Sequence, residues 1–167
     1  PPVVVGRGGI ELELRCTTIV PDSARSLLGA RAPSADPFAD ALVVAARRPG
    51  TTRSDGAVGL AYGALAAGRC QGPGSAVAVL HGVVVDPAER RLGIGRQVLR
   101  RWCHEAALAG ARLVTATAPD RASADRASPD ADLPDVDPFD ADSLVGLLDA
   151  DGFVTVGASR VRALAAG

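Results

Sequence analysis

AVAVLHGVVV at residues 76–85, followed by DPAERRLGIGRQVL at residues 86–99, is the stretch that decides the fold. Apart from Leu80 and His81, the first ten residues are β-branched or small, a composition suited to a strand buried on both faces of a sheet. Asp86-Pro87 stops it, because proline brings no N–H to a ladder. From Ile94 to Leu108 the period changes. Ile94, Val98, Trp102 and Ala106 recur at every fourth position, joined by Leu99 and Cys103, while Arg96, Gln97, Arg100, Arg101 and His104 take the other side. This spacing predicts an amphipathic helix, which Gly110 ends. Leu113 to Ala118 is a further strand and completes a strand–loop–helix–strand unit.

Between strand and helix, Arg90-Arg91-Leu92-Gly93-Ile94-Gly95 carries two glycines that permit positive φ and close backbone approach. The first helical turn leaves N–H groups without internal acceptors, and these, with the helix dipole, suit an anion such as a pyrophosphate. Arg90, Arg91 and Arg96 add positive charge at the same place. Two phosphate-binding patterns fail here. No Gly-Lys-Ser/Thr is present, and the position three beyond Gly95 is Val98 rather than the third glycine of a dinucleotide fingerprint. On the residues alone, a plain Gly-rich connection with solvated arginines stays open beside the anion site.

Working outward, Glu11 to Val20 alternates loosely as a strand, and Asp22 or Ser23 can cap a short helix toward Ala30. Ala41 to Ala46 and Ala57 to Ala66 form a hairpin whose connection contains Thr51 to Gly56. Pro119 to Asp142 holds eight Asp and few large apolar residues, as expected of a long surface loop. Asp140 or Asp142 caps a helix over Ser143 to Ala150. Phe153 to Val156 and Ser159 to Leu164 are the closing strands.

The chain has 167 residues, enough for one domain with a core of its own, and is 47% apolar but only 3% aromatic. Val, Leu, Ala and Ile must therefore build that core. A net charge of −1 gives no global pull toward nucleic acid or an acidic membrane surface. All 18 basic residues are Arg, which excludes a lysine Schiff base, a Walker lysine and a lysine base. Cys16, Cys70 and Cys103, with His81 and His104, match no metal-site spacing, so reduced thiols in a cytoplasmic protein without a metal are expected. The N-terminus lacks the pattern of a signal peptide, and no apolar run is long enough to span a bilayer. Without an initiator Met, the chain is expected to be trimmed or cut from something longer.

Residues 82–99 as a whole resemble the coenzyme A signature of the GNAT acetyltransferases. Its core, (Arg/Gln)-x-x-Gly-x-(Gly/Ala), is met by Arg90, Gly93 and Gly95, and Val85-Asp86-Pro87 supplies the Val-x-Pro lead-in. Gly152-Phe153 is similar to the family's late Gly-Phe pair, whereas the earliest strands match only in order. The resemblance implies an α/β (α+β) fold in a single domain over residues 1–167. Its central sheet would be mixed, mostly antiparallel, of about six to seven strands, and flanked by helices. It also implies acetyl-CoA as co-substrate. The backbone of Val83, Val84 and Val85 would pair with the pantetheine arm where this strand splays from its neighbour. The loop of Arg90, Arg91, Leu92, Gly93, Ile94, Gly95 and Arg96 would hold the pyrophosphate.

Acetylating an amine needs a base for the ammonium and a proton for the leaving thiolate. Two-residue periodicity places His81 on the face of Val83, and in the resembling family that strand often presents a Glu or His to the substrate, so His81 is the candidate base. The family's usual Glu position is Val79. The usual Tyr acid, four or five residues before Gly-Phe, falls on Leu148, and Tyr62, the one tyrosine, fits core or cleft wall. No acid is thereby assigned. Cys103 is expected to be inert packing and His104 a surface residue near the helix C-terminus. The Asp-rich stretch suits either a solvated insertion or attraction of a cationic acceptor. The expected function is N-acetyl transfer to a primary amine of a small molecule or peptide, by a monomer or homodimer that binds neither nucleic acid nor membrane. The alternative is an acyl-CoA-binding regulatory domain of a larger protein with impaired catalysis, and a longer acyl chain also remains open.

Overall fold

A computed structural model describes residues 3–5, 11–17, 27, 41–50, 56–66, 76–117, 141–156 and 159–164. Among them are the strands β1 (Val3–Val5), β2 (Glu11–Thr17), β3 (Ala41–Arg47), β4 (Ala57–Ala66), β5 (Ala76–Val85), β6 (Ala111–Thr117), β7 (Val154–Val156) and β8 (Ser159–Ala163). Two helices, α1 (Ile94–Leu108) and α2 (Ala141–Ala150), complete the described elements, with a single 3-10 turn over Pro87–Glu89. The strands form one sheet in the order β1-β2-β3-β4-β5-β6-β8-β7. β5 and β6 run parallel, joined by α1, and every other neighbouring pair is antiparallel.

The expected mixed sheet is therefore present. It has one strand more than the sequence pattern marks, because Val3–Val5 pairs with β2 but is too short to show a period. Elsewhere the boundaries move by a residue or two, as strand ends commonly do. α2 begins at Ala141, so Asp142 lies inside the helix and is not its cap. The expected helix toward Ala30, Asp140, and the body of the Asp-rich stretch fall outside the described residues, as do Cys70 and residues 18–20 of the first long strand.

One core lies between the sheet and both helices. The predicted stripe of α1, Ile94, Val98, Leu99, Trp102, Cys103 and Ala106, is the set that the helix buries. It packs with Leu12, Leu14, Val44, Ala61, Leu80, Val83 and Val114 of the sheet and with Leu144, Leu148 and Phe153. The floor under α1 is made of small residues. A Cβ at Gly59 would meet Ile94 Cγ2 at 2.7 Å, and one at Gly63 would meet Trp102 Cζ2 at 2.5 Å. With Ala61 between them, these alternate residues let the helix close on β4. Trp102 then donates its Nε1–H to the Leu42 carbonyl at 2.8 Å, which ties α1 to β3. A smaller cluster, Val43, Ala45, Ala57 and Leu60 with Leu27 and Tyr62 packed against it, occupies the opposite face.

Candidate active site

Two departures from ladder regularity in β5 build the site. Tyr62 pairs with Gly82, but the next residue, Gly63, pairs with Leu80, so His81 is an extra residue in a β-bulge. A bulge resets the alternation of side chains along the strand. Ala78 and Leu80 before it, and Val83 after it, all belong to the α1-side core, a spacing of three where regular pairing demands two. His81 therefore does not share the face of Val83, as two-residue periodicity had it. It is exposed, and its ring lies 6.3 Å from that of Tyr62, which packs on the opposite cluster.

Two glycines make the bulge sterically possible. A Cβ on Gly63 would lie 2.1 Å from the Val79 carbonyl oxygen and 3.0 Å from the Leu80 Cα. A Cβ on Gly82 would lie 2.9 to 3.1 Å from the Tyr62 ring carbons and hydroxyl. The Tyr62 ring thus lies over Gly82, with its hydroxyl end at the bulge. Burial pushes the Tyr62 phenol above its ordinary pKa, so it stays neutral beside His81.

The second departure lies just beyond. β5 pairs with β6 from Ala76 opposite Ala111 as far as Leu80 opposite Ala116. From there β6 stays with β8, through Thr117 opposite Ser159, while residues 82–85 pair only with β4 among the described residues. The strands part, and alternate backbone N–H and C=O groups of β5 face the side that β6 has left. The side chains of Val83 and Val84 are buried, so what these residues offer to a ligand is backbone.

At the end of the parted strand, the Asp86 side chain accepts from Ala88 N–H at 2.9 Å and caps the 3-10 turn, while Asp86 N–H donates to Val58 O. Arg91 (φ 68°) and Gly93 (φ 79°) then adopt left-handed conformations, the only non-glycine residue among those described to do so being Arg91. Such alternation turns successive N–H groups toward one side. The first helical bond runs from Gln97 N–H to Gly93 O, so the amides of Ile94, Gly95 and Arg96 precede the helical ladder. Ile94 is buried and Leu92 partly so, which anchors the loop to the core, while Arg90 and Arg91 are exposed. Gly95 faces β5 and α2: a Cβ there would sit 3.4 Å from Val85 Cγ2 and 3.5 Å from Leu147 Cδ2. The arrangement fits an extended ligand with a diphosphate at one end, because it offers strand-edge groups leading into a turn of forward-pointing amides.

Arg96 is used differently from the expectation. Its guanidinium donates to the Ala150 carbonyl at 2.9 Å and approaches Asp151 at 3.6 Å, so the side chain braces the loop against the turn after α2. Asp151, the one buried charged residue among those described, also accepts from Arg100 and Arg162, each at 2.8 Å. Neighbouring Asp149 pairs with Arg160. Sequence reasoning missed this cluster, whose only signal was an Asp beside the Gly-Phe pair. It also missed the Arg48–Glu89 pair, which spans 41 positions of the chain.

Leu148, in the register where the resembling family carries its acid, is fully buried, and no proton donor stands there. Cys103 is buried and free, and burial pushes its thiol up to about 11, in keeping with inert packing. His104 is exposed. Among the described residues there is no cluster of three metal-ligating side chains, and no helix is long and apolar enough to cross a membrane.

The profile of the acetyltransferase (GNAT) family matches residues 31–127, more than half of the chain. No curated protein matches the sequence. Among solved structures, the GNAT domain of S. lividans PAT is 15% identical, with a TM-score of 0.63 over 98% of this chain and 96% of that one. The IAA acetyltransferase from Bacillus cereus is 14% identical, with a TM-score of 0.57 over 92% of this chain and 99% of that one. Arabidopsis thaliana NAA60, solved in complex with acetyl-CoA, is 13% identical, with a TM-score of 0.60 over 92% of this chain and 98% of that one. At such identities these structures speak for the fold. The family match covers β3 through β6 together with α1, the elements that build the bulge, the parted strands and the loop, and on it the chain belongs to the acetyltransferase (GNAT) family.

Proposed function

We propose that this chain transfers the acetyl group of acetyl-CoA to a primary amine of a small molecule or peptide, by direct attack of the amine on the thioester. The observation that carries this reading is the parting of β5 from β6 after Leu80, with the left-handed turns of the 90–96 loop at the far end of the same strand. The fold shared with a protein solved in complex with acetyl-CoA supports it. When bound, acetyl-CoA supplies an activated acyl thioester. The amides of residues 91–96, reinforced by the positive end of α1, hold the diphosphate. The backbone of residues 83–85 lines up the pantetheine arm so that the acyl group ends near the bulge. His81, exposed there, takes the proton of the incoming ammonium directly or through one water. The eight Asp of residues 119–142 favour a cationic acceptor.

Titration calorimetry with acetyl-CoA tests the coenzyme half. Saturable binding is expected, and it is lost in Gly95→Glu, whose Cβ already meets Val85 and Leu147 and whose added negative charge enters the first turn of α1. No binding at high micromolar acetyl-CoA would overturn the proposal. Thiol release over a panel of amines tests the chemistry. His81→Ala should lower kcat by about 10²-fold and flatten its pH profile, with acetyl-CoA affinity retained. One observation favours a second reading, a regulatory acyl-CoA-binding module: the buried Leu148 stands in the register of the family's acid. Such a module would bind acetyl-CoA yet release thiol at the background rate with every amine.

A further inference from the structure

We propose that Arg48, on the β3–β4 connection, is a positioning residue of the anion site, acting by cancelling the charge of Glu89. The inference rests on the coenzyme reading above and adds a residue that lies outside the signature. Glu89 immediately precedes the loop and closes the 3-10 turn through its N–H bond to Asp86 O. Because Arg90 and Arg91 follow Glu89 directly in the chain, chain geometry keeps its carboxylate within about a Debye length, ~10 Å, of the first loop amides. An unpaired carboxylate there would oppose a diphosphate and offset part of what Arg90, Arg91 and the α1 dipole contribute.

Arg48 prevents this with a fork of hydrogen bonds. Its Nε donates to Glu89 Oε1 at 3.1 Å, and its Nη2 donates to Oε1 at 2.8 Å and to Oε2 at 2.7 Å. Both carboxylate oxygens are engaged by one planar cation, the strong form of an Arg–carboxylate pair. The pair also ties the Glu89 carboxylate to the β3–β4 connection. Exposed ion pairs contribute little to stability, so its consequence lies in the field at the site rather than in folding.

The test is binding of acetyl-CoA, by calorimetry, to the unaltered chain and to Arg48→Ala, Glu89→Gln and the double variant. Arg48→Ala should bind about three- to fivefold more weakly at low ionic strength, with the deficit shrinking at about 0.5 M salt. Glu89→Gln should bind at least as tightly as the unaltered chain. The double variant should return to within about twofold of it, because no carboxylate is left to cancel. A thermal midpoint close to the original separates this from misfolding. Undiminished binding by Arg48→Ala at low salt would overturn the inference. So would a double variant as weak as Arg48→Ala, which would mean that Arg48 acts other than through the Glu89 charge. If the unaltered chain itself fails to bind, the coenzyme reading falls first and takes the inference with it.

Discussion

Replacing Gly63 by alanine adds one methyl group at the place where the bulge is made, and the structure specifies what that methyl meets. Its carbon would lie 2.1 Å from the Val79 carbonyl oxygen, 2.5 Å from Trp102 Cζ2 and 3.0 Å from Leu80 Cα. Two of these neighbours are backbone atoms of β5, held by the β4–β5 ladder, and the third belongs to a fully buried ring pinned by its bond to Leu42 O. None is the free end of a flexible side chain, so relief requires moving β5 or α1. Overpacking with movable neighbours costs about 1–3 kcal/mol, and this case belongs at or above the upper end. About 3 kcal/mol in a domain of this size lowers the thermal midpoint by roughly 6–12 °C. Trp102 is the only tryptophan, so its fluorescence reports the affected contact while circular dichroism follows the whole chain. Gly146→Ala is the internal contrast. It lies inside α2, where, the helix's own backbone aside, no atom of the described residues comes within 4 Å of the added methyl, and should stabilise the chain by up to about 1 kcal/mol. If Gly63→Ala unfolds within about 0.5 kcal/mol of the original, the bulge does not depend on that close approach and the steric account is wrong.

Asp151→Ala should destabilise the chain by about 2–3 kcal/mol in urea unfolding. The value falls at or below the lower limit of the ~3–5 kcal/mol for a broken buried pair because Arg96, Arg100 and Arg162 are all partly exposed and can rehydrate. Stability should fall between about pH 9 and pH 11. Burial keeps the Cys103 thiol protonated in the folded chain up to about 11, and Tyr62 is shifted in the same direction, so the unfolded chain loses those protons first and is favoured as pH rises. A Cys103→Ala variant should show a shallower alkaline decline in denaturant midpoints. Cys103 should also resist alkylation at pH 8 until the chain is unfolded, which mass spectrometry of the labelled peptides would show.

The sequence by itself determined whatever is written in local period and punctuation. The core stripe of α1, the ends of β5, the parallel β5–α1–β6 unit and the loop ending in Gly95 all follow from spacing within residues 76–117, where each side chain's neighbours are set by helix or strand geometry. The face on which His81 stands was decided only by tertiary structure. Its position depends on the register of β4 against β5, and one inserted residue reverses a two-residue pattern without leaving a mark in β5 alone. Val3–Val5 became a strand only because β2 was there to pair with it. Glu89 meets Arg48 from 41 positions away, and Asp151 meets Arg100 from 51 and Arg162 from 11, and a charged residue in a sequence carries no record of which distant charge will face it. The loop of residues 90–95 is local and its place between strand and helix was legible, whereas the bulge beside it and the ion pairs that brace it exist only where separate strands and helices meet.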